Sequence, residues 1–276
     1  VDQGALQSTP LGAITLAWDT AKRSAEVDSS GRVSLEPLTY SDLDDTAGGF
    51  RYLTATFRVT NLGAADLENL SLRAVARAGN AGGTAIADPR AFPDAANPSG
   101  APLTDPTIPQ RFVPLHGTQL GPSQPQPDPV GSDLQLYRQT ESTALQTAAR
   151  ASGLLGDGDT VLDYGFVARS EASSTTAGGR LLRAGGSGTV SLAVRLPRRF
   201  DGSPRPYTFQ WTLLVTTDSA PRVSRALLET DAAVLERARA LSPSAQAAFT
   251  GAALEGSGVV LVPLETVRIG VGTNYP

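Results

Sequence analysis

The chain contains no cysteine and no methionine, and it has a single histidine. Without cysteine, disulfides, thiolate metal sites and cysteine nucleophiles are excluded. One histidine, His116, excludes multi-histidine metal sites and leaves any histidine-based triad dependent on that residue. No methionine stands even at position 1, and a removed signal peptide is the expectation. Lysine is nearly absent: Lys22 is the only one among 23 basic residues. Codon bias in a GC-rich genome is the simple cause, and arginine also suits a durable surface because its guanidinium stays charged and pairs bidentately. Charged residues are only 18% of the chain and net charge is −4, so no basic footprint for nucleic acid or an anionic membrane is present. The longest apolar runs, such as 259–262, are far too short to span a bilayer.

What is present is alternation. In 11–18, Ile14, Leu16 and Trp18 alternate with Thr15 and Ala17, the period of a half-buried strand. A second short strand is predicted over 32–38, followed by an acidic, glycine-containing loop over 41–49. In 50–77, Leu53, Ala55, Phe57 and Val59 oppose Tyr52, Thr54, Thr56 and Arg58, as in an antiparallel sheet with water on one side. Asn61 and Gly63, both available for positive φ, break this run. Alternation resumes over 69–77, with Leu70, Leu72, Ala74 and Ala76 on one face and Ser71, Arg73, Val75 and Arg77 on the other.

From 88 to 130 the pattern collapses under recurring prolines, from Pro89 to Pro129, which remove donors and restrict the preceding residue. A long surface excursion is expected, inserted at about 88–158. Residues 134–155 look helical in their second half, with Thr140 as cap, Glu141 at the positive end and Gly153 and Gly156 as stop signals. Strands are predicted over 161–169, 181–184, 189–197 and 207–217, a second helix over 230–241, and one or two closing strands over 257–270. Eight to ten short strands punctuated by glycine and proline argue for a mainly β antiparallel sandwich. The expected organisation is an arm over 1–10 and a single domain over 11–276.

Two stretches carry a resemblance. Phe57-Arg-Val-Thr-Asn61-Leu-Gly63 is followed by Leu67-Glu-Asn69-Leu-Ser-Leu72, and the pattern continues at Leu182-Arg-Ala-Gly185-Gly-Ser-Gly-Thr-Val190-Ser-Leu192. Together they resemble bacterial extracellular immunoglobulin-like modules, which carry a V-x-N-x-G strand end, an L-x-N-V-x-V strand start and a glycine-bearing turn before an alternating strand. Residues 207–218 resemble the closing strand of such modules, ending near an Asp. The resemblance covers about 50–77 and 179–219. It implies an immunoglobulin-like sandwich and adhesion, spacing or assembly at a cell surface, and it brings over no catalytic residue.

Candidate sites are few. His116 is expected to be a loop histidine bonded to backbone, and the turn around Ser187 lacks the spacing of a nucleophile elbow. Asp157, Asp159 and Asp163 could supply some oxygens to calcium, although no Glu closes a full loop. Asp42, Asp44 and Asp45 form a similar cluster that could also act as paired glycosidase carboxylates. Trp18 and Trp211 fall on apolar strand faces and are expected in the core rather than as sugar platforms. No catalytic, cofactor or metal residue is assigned. The expectation is a non-enzymatic extracellular or cell-surface protein of a bacterium, exported, a subunit or accessory of a filament or surface layer. Its partners would be its own copies or other envelope proteins, with no nucleic acid and no membrane span. A carbohydrate- or ligand-binding module is the alternative, and a hydrolase using Asp44 or Asp159 the second.

Overall fold

The computed structural model describes residues 7–19, 24–29, 31–80, 84–115, 118–120, 125–127, 132–170, 180–200, 203–204 and 207–219. The chain opens with β1 (Ser8–Asp19), β2 (Ser24–Ser29), β3 (Val33–Asp45), β4 (Phe50–Asn61), β5 (Leu67–Glu68) and β6 (Leu70–Ala76). There follow β7 (Ile86–Ala91), α1 (Thr107–Gln110), β8 (Val113–Leu115), β9 (Thr118–Leu120), β10 (Pro125–Pro127), β11 (Leu134–Leu136) and α2 (Gln139–Ala151). It continues with β12 (Thr160–Val167), β13 (Arg169–Ser170), β14 (Leu181–Leu182), β15 (Ser187–Pro197), β16 (Arg199–Phe200), β17 (Ser203–Pro204) and β18 (Tyr207–Asp218).

Two antiparallel sheets face each other. The first runs β11-β12-β6-β18-β1-β2, with β7 also on β18; the second runs β13-β15-β4-β3, with β8 also on β15. The alternating apolar residues of both meet in one core. Ile14, Leu16, Leu72, Leu213 and Val215 come from the first sheet, and Leu53, Phe57, Val59, Leu192 and Val194 from the second. Both tryptophans lie in this core, 1% and 0% exposed. Trp18 stacks on Phe209, with centroids 5.9 Å apart and planes 6° from parallel. Trp211 meets Phe166 edge-on at 5.6 Å. Burial of large rings in offset and edge geometries contributes area and specific contact together.

The outer faces differ. Over β6, the face predicted to meet water is buried: Ser71, Arg73 and Val75 are all at 0% exposure. Helix α2 lies across this sheet. Leu145 and Ala149 pack with Val75, Val161 and Leu214 in a second, smaller core. The helix starts earlier than the sequence suggests, because Arg138 is its N-cap and its backbone N–H donates to Glu141 Oε2 at 3.0 Å. Thr140, the expected cap, lies inside the first turn. At the other end Gly153 adopts φ 74°. The Gly153 N–H donates to Arg150 O (3.0 Å) and the Leu154 N–H to Ala149 O (2.9 Å), which is a Schellman ending. No helix among the described residues is long and apolar enough to cross a membrane.

Several expectations change. β1 begins at Ser8, not at residue 11. β3 runs on through the predicted acidic loop to Asp45, since Ser41, Asp42, Leu43 and Asp44 pair with Thr54, Leu53, Tyr52 and Arg51 of β4. The Pro-rich excursion is not wholly at the surface: Ile108, Phe112 and Val113 are buried in the main core. Phe112 meets Trp211 at 5.2 Å and Phe209 at 5.9 Å, both edge-on. The prolines permit this because they interrupt regular pairing without preventing a short turn from turning an apolar side chain inward. The strands predicted at 257–270, the helix at 230–241 and His116 lie outside the described residues.

Phe112 therefore separates a packed plug from a loose surface loop. Phe112→Ala is expected to destabilise the fold by about 3–5 kcal/mol, read as a lower urea midpoint by tryptophan fluorescence. A surface loop residue would change it by less than about 0.5 kcal/mol.

Candidate functional site

The two stretches that carry the family resemblance come together at Asn61. Its side chain is fully buried. The amide Nδ2 donates to Ala65 O (2.9 Å), Leu182 O (3.1 Å) and Arg183 O (3.2 Å), while Oδ1 accepts the Gly63 N–H at 3.0 Å. Its backbone N–H donates to Gly186 O (2.9 Å), and its backbone carbonyl accepts the Gly185 N–H (3.0 Å). One side chain thus closes the turn after β4 and ties it to the turn before β15. The break was expected to use positive φ at Asn61 and Gly63. Neither adopts it, and the asparagine side chain makes the turn instead. The positive φ in this group belongs to Gly185, at 71°. Gly188 has a different role: a Cβ there would run into Arg169 O of β13.

A second tie sits where β5 hands over to β6. Asn69 takes φ 52°, a left-handed conformation that asparagine tolerates better than most residues. Its Nδ2 donates to Asp218 O at 3.1 Å, its backbone N–H to Arg180 O at 3.0 Å, and its carbonyl accepts the Asp218 N–H at 3.1 Å. Asp218 in turn accepts Ser8 Oγ at 2.5 Å and Ser71 Oγ at 3.3 Å. Ser71 and Thr216 pair hydroxyls at 2.8 Å. Beneath α2, Arg73 donates to Ser142 Oγ at 2.7 Å and lies 3.4 Å from the Tyr137 ring centroid. Sequence reasoning placed Arg73 on a wet face. Only the long-range docking of α2 reverses that.

The acidic clusters are spread over separate partners. Asp42 lies 3.9 Å from Arg51, Asp44 pairs with Arg198, and Asp45 accepts the Gly48 N–H at 2.9 Å. Both oxygens of Asp159 are occupied: Oδ1 accepts the Ala78 N–H at 2.8 Å, and Oδ2 accepts the Gly156 N–H at 2.8 Å and meets Arg77 at 3.0 Å. Asp157 is exposed, and Asp163 is half-buried on β12. Among the described residues no group of three or more His, Cys, Asp or Glu side chains is placed to hold a metal ion.

Asp133, which sequence reasoning passed over, is buried and fully engaged. It pairs with Arg169, and its Oδ2 accepts the Ser191 N–H at 2.8 Å. Its own N–H donates to Ser191 O at 2.9 Å. The aspartate thus closes the stretch of β15 edge between β13 and β8. Burial raises its pKa above the ordinary carboxylate value, outweighing Arg169, the Ser191 N–H and Arg180, which pull it down.

Comparison with known proteins adds no relative: no family model, curated protein or solved structure matches the chain.

Two predictions follow from these ties. Asn61→Ala leaves several buried backbone groups short of a partner and is expected to cost about 2–4 kcal/mol. Asn69→Gly loses one hydrogen bond but keeps the backbone, costing about 1 kcal/mol, whereas Asn69→Ala adds about 1–2 kcal/mol of left-handed strain. Equal losses for the two Asn69 variants would contradict that account. For Asp133 the folded pKa lies above the unfolded one. Its contribution to stability is therefore complete below the ordinary carboxylate pKa and declines as pH rises through the raised value. The stability of the wild type minus that of Asp133→Asn should fall as pH rises above the ordinary carboxylate pKa. A difference that rises with pH would show that the arginines win.

Proposed function

We propose that this chain is a non-catalytic immunoglobulin-like module of a bacterial cell surface, exported, and a subunit or accessory of a surface assembly such as a filament or layer. The observation that carries the reading is the structural use of its motif residues. Asn61, Asn69 and Asp218 each join strands distant in sequence. These are the positions by which the chain resembles extracellular modules of this kind. The long strands form the two antiparallel sheets of a β-sandwich, with β3, β4 and β15 in one and β1, β6, β12 and β18 in the other. The strand order differs from the immunoglobulin one: the last strand, β18, lies between β1 and β6 rather than beside β15, and β3 pairs with β4 in one sheet.

The acids that a hydrolase would use support the same reading. Asp44 and Asp159 are engaged with Arg198 and Arg77 and lie on different sheets' margins. Assembly through surfaces needs a stable body with managed edges, and this body has one. β3 carries Pro37, a register shift beside it, and Glu36, Asp42, Asp44 and Asp45 along its length, features that discourage indiscriminate strand addition. β1 is paired on both sides, with β18 and with β2, so it is not an open edge.

Sedimentation and electron microscopy of the full chain over a wide concentration range test the proposal. Ordered oligomers or filaments of the free protein, or a defined complex with another envelope protein, are expected. Strict monomers at high concentration that also bind no envelope protein would overturn it.

A further inference from the structure

The sheet β3-β4-β15 turns one face to the core; on its other face Ala193 and Pro197 of β15 are buried and Arg111 lies over Phe50, while the rows from Ser187 to Ser191 stay partly exposed. Those rows are built from hydroxyls. Ser34, Thr60 and Ser187 sit abreast on the three strands, as do Thr39, Thr56 and Ser191. None of them is buried. Thr56 and Ser191 pair at 2.8 Å, and Thr60 and Ser187 at 3.0 Å. Each pair spends one hydroxyl hydrogen on itself, which leaves one donor and several lone pairs facing outward. The remaining charges between the rows, Arg58 and Glu36, neutralise each other at 2.9 Å.

One end of this face changes character. Tyr52 and Phe50 point outward from β4, both half-buried. The Arg195 guanidinium lies 4.5 Å from the Phe50 ring centroid, and that of the exposed Arg111 lies 4.9 Å from it. The Phe50 ring is thus held in place beside a positive charge open to solvent.

The dimensions select the occupant. Paired over 187–197, the strip is about 37 Å long and, at three strands, about 14 Å wide, or about 500 Å². A stable protein interface removes about 800 Å² from each partner and has an apolar centre. This strip is too narrow and too polar for that. It suits a linear chain whose own groups are hydroxyls.

We propose that the outer face of the β3-β4-β15 sheet binds an extended polysaccharide that carries carboxylates, of the uronate class. Sugar hydroxyls exchange hydrogen bonds with the serine and threonine rows, a sugar ring lies against Tyr52 and Phe50, and Arg111 meets a carboxylate. The proposal does not depend on self-assembly, so either can fail alone.

Native gel electrophoresis of the full chain through polygalacturonate, dextran or no glycan tests it. The net charge of −4 disfavours indiscriminate binding of a polyanion, so retention reads the face itself. The expected result is retardation by polygalacturonate, weaker retardation by dextran, and about tenfold weaker binding of Arg111→Ala to polygalacturonate. Thr56→Glu, which sets bulk and like charge in the middle of the strip, should migrate as in the glycan-free gel. Glu68→Gln on β5 should bind as the wild type does. If circular dichroism shows Thr56→Glu to be unfolded, Thr54→Glu carries the same test. Absence of retardation by polygalacturonate would overturn the proposal, as would unchanged retention of the folded face variant. So would a glycan-free dimer that this variant dissolves, because the face would then belong to a second copy.

Discussion

The fold depends on the pairing of its first described strand with its last. β1 and β18 run antiparallel in register from Ser8 opposite Asp218 to Asp19 opposite Thr208. This pairing puts Trp18 beside Phe209 and Leu16 beside Trp211, and so fixes the aromatic centre of the core. It also closes a loop of nearly the whole described chain. Closure entropy grows only slowly with loop length, but it must be met before the contacts that reward it are made. The far end of the pair is accordingly reinforced. Ser8 bonds Asp218, the Gln7 N–H donates to Ser219 Oγ, and the Ser219 N–H returns to Gln7 O. Those bonds are polar and specific where the hydrophobic contact between the sheets is not. They set the register that the apolar faces alone leave degenerate, since a slip of two residues would keep every apolar residue inward.

The same division of labour recurs elsewhere. Apolar alternation brings the two sheets together, while single polar side chains determine where each turn and handover falls. Asn61 joins the turn after β4 to the one before β15; Asn69 redirects the chain from β5 into β6; Asp133 occupies the edge of β15 between two short strands. Each sits where backbone donors or acceptors would otherwise be buried without partners, a condition that costs more than the net gain of an ordinary hydrogen bond. Buried Tyr207 obeys a related constraint. Tyr207 donates to Pro197 O at 2.6 Å, and burial raises its pKa well above the ordinary phenol value, so it stays a neutral donor.

The parts of this architecture legible in the sequence are those governed by period two. The alternation of 50–61, 189–197 and 207–217 places Leu53, Val190 and Trp211 inward, where they are found. What alternation could not reveal is settled by partners far away in the chain. The acidic run to Asp45 reads as a loop until Arg51 and Arg198 are beside it. Arg73 reads as a wet residue until α2 covers it, and Phe112 disappears among prolines until the two sheets open a gap for it. The candidate sites follow the same rule. Trp18 and Trp211 could be assigned to the core from their strand faces, whereas the role of Asn61 rests on carbonyls more than a hundred residues away, and no local pattern signals Asp133.

The two outer faces show why a sandwich of this kind can leave one side open. Across the first sheet, Val75, Val161 and Leu214 point away from the main core, and leaving them in water would forfeit their burial. The thirteen residues of α2 cover them, with Leu145 and Ala149 as the contact and Gly153 ending the helix where the cover is complete. Across the middle of the second sheet the outward positions, Ser34, Thr39, Thr56, Thr60, Ser187 and Ser191, hold threonine and serine. Their β-carbons suit a pleated strand, and their hydroxyls need no cover. These hydroxyl rows have nothing apolar to hide, so no helix is needed across them. Their shape is set by the core behind them and is already in place before any partner arrives.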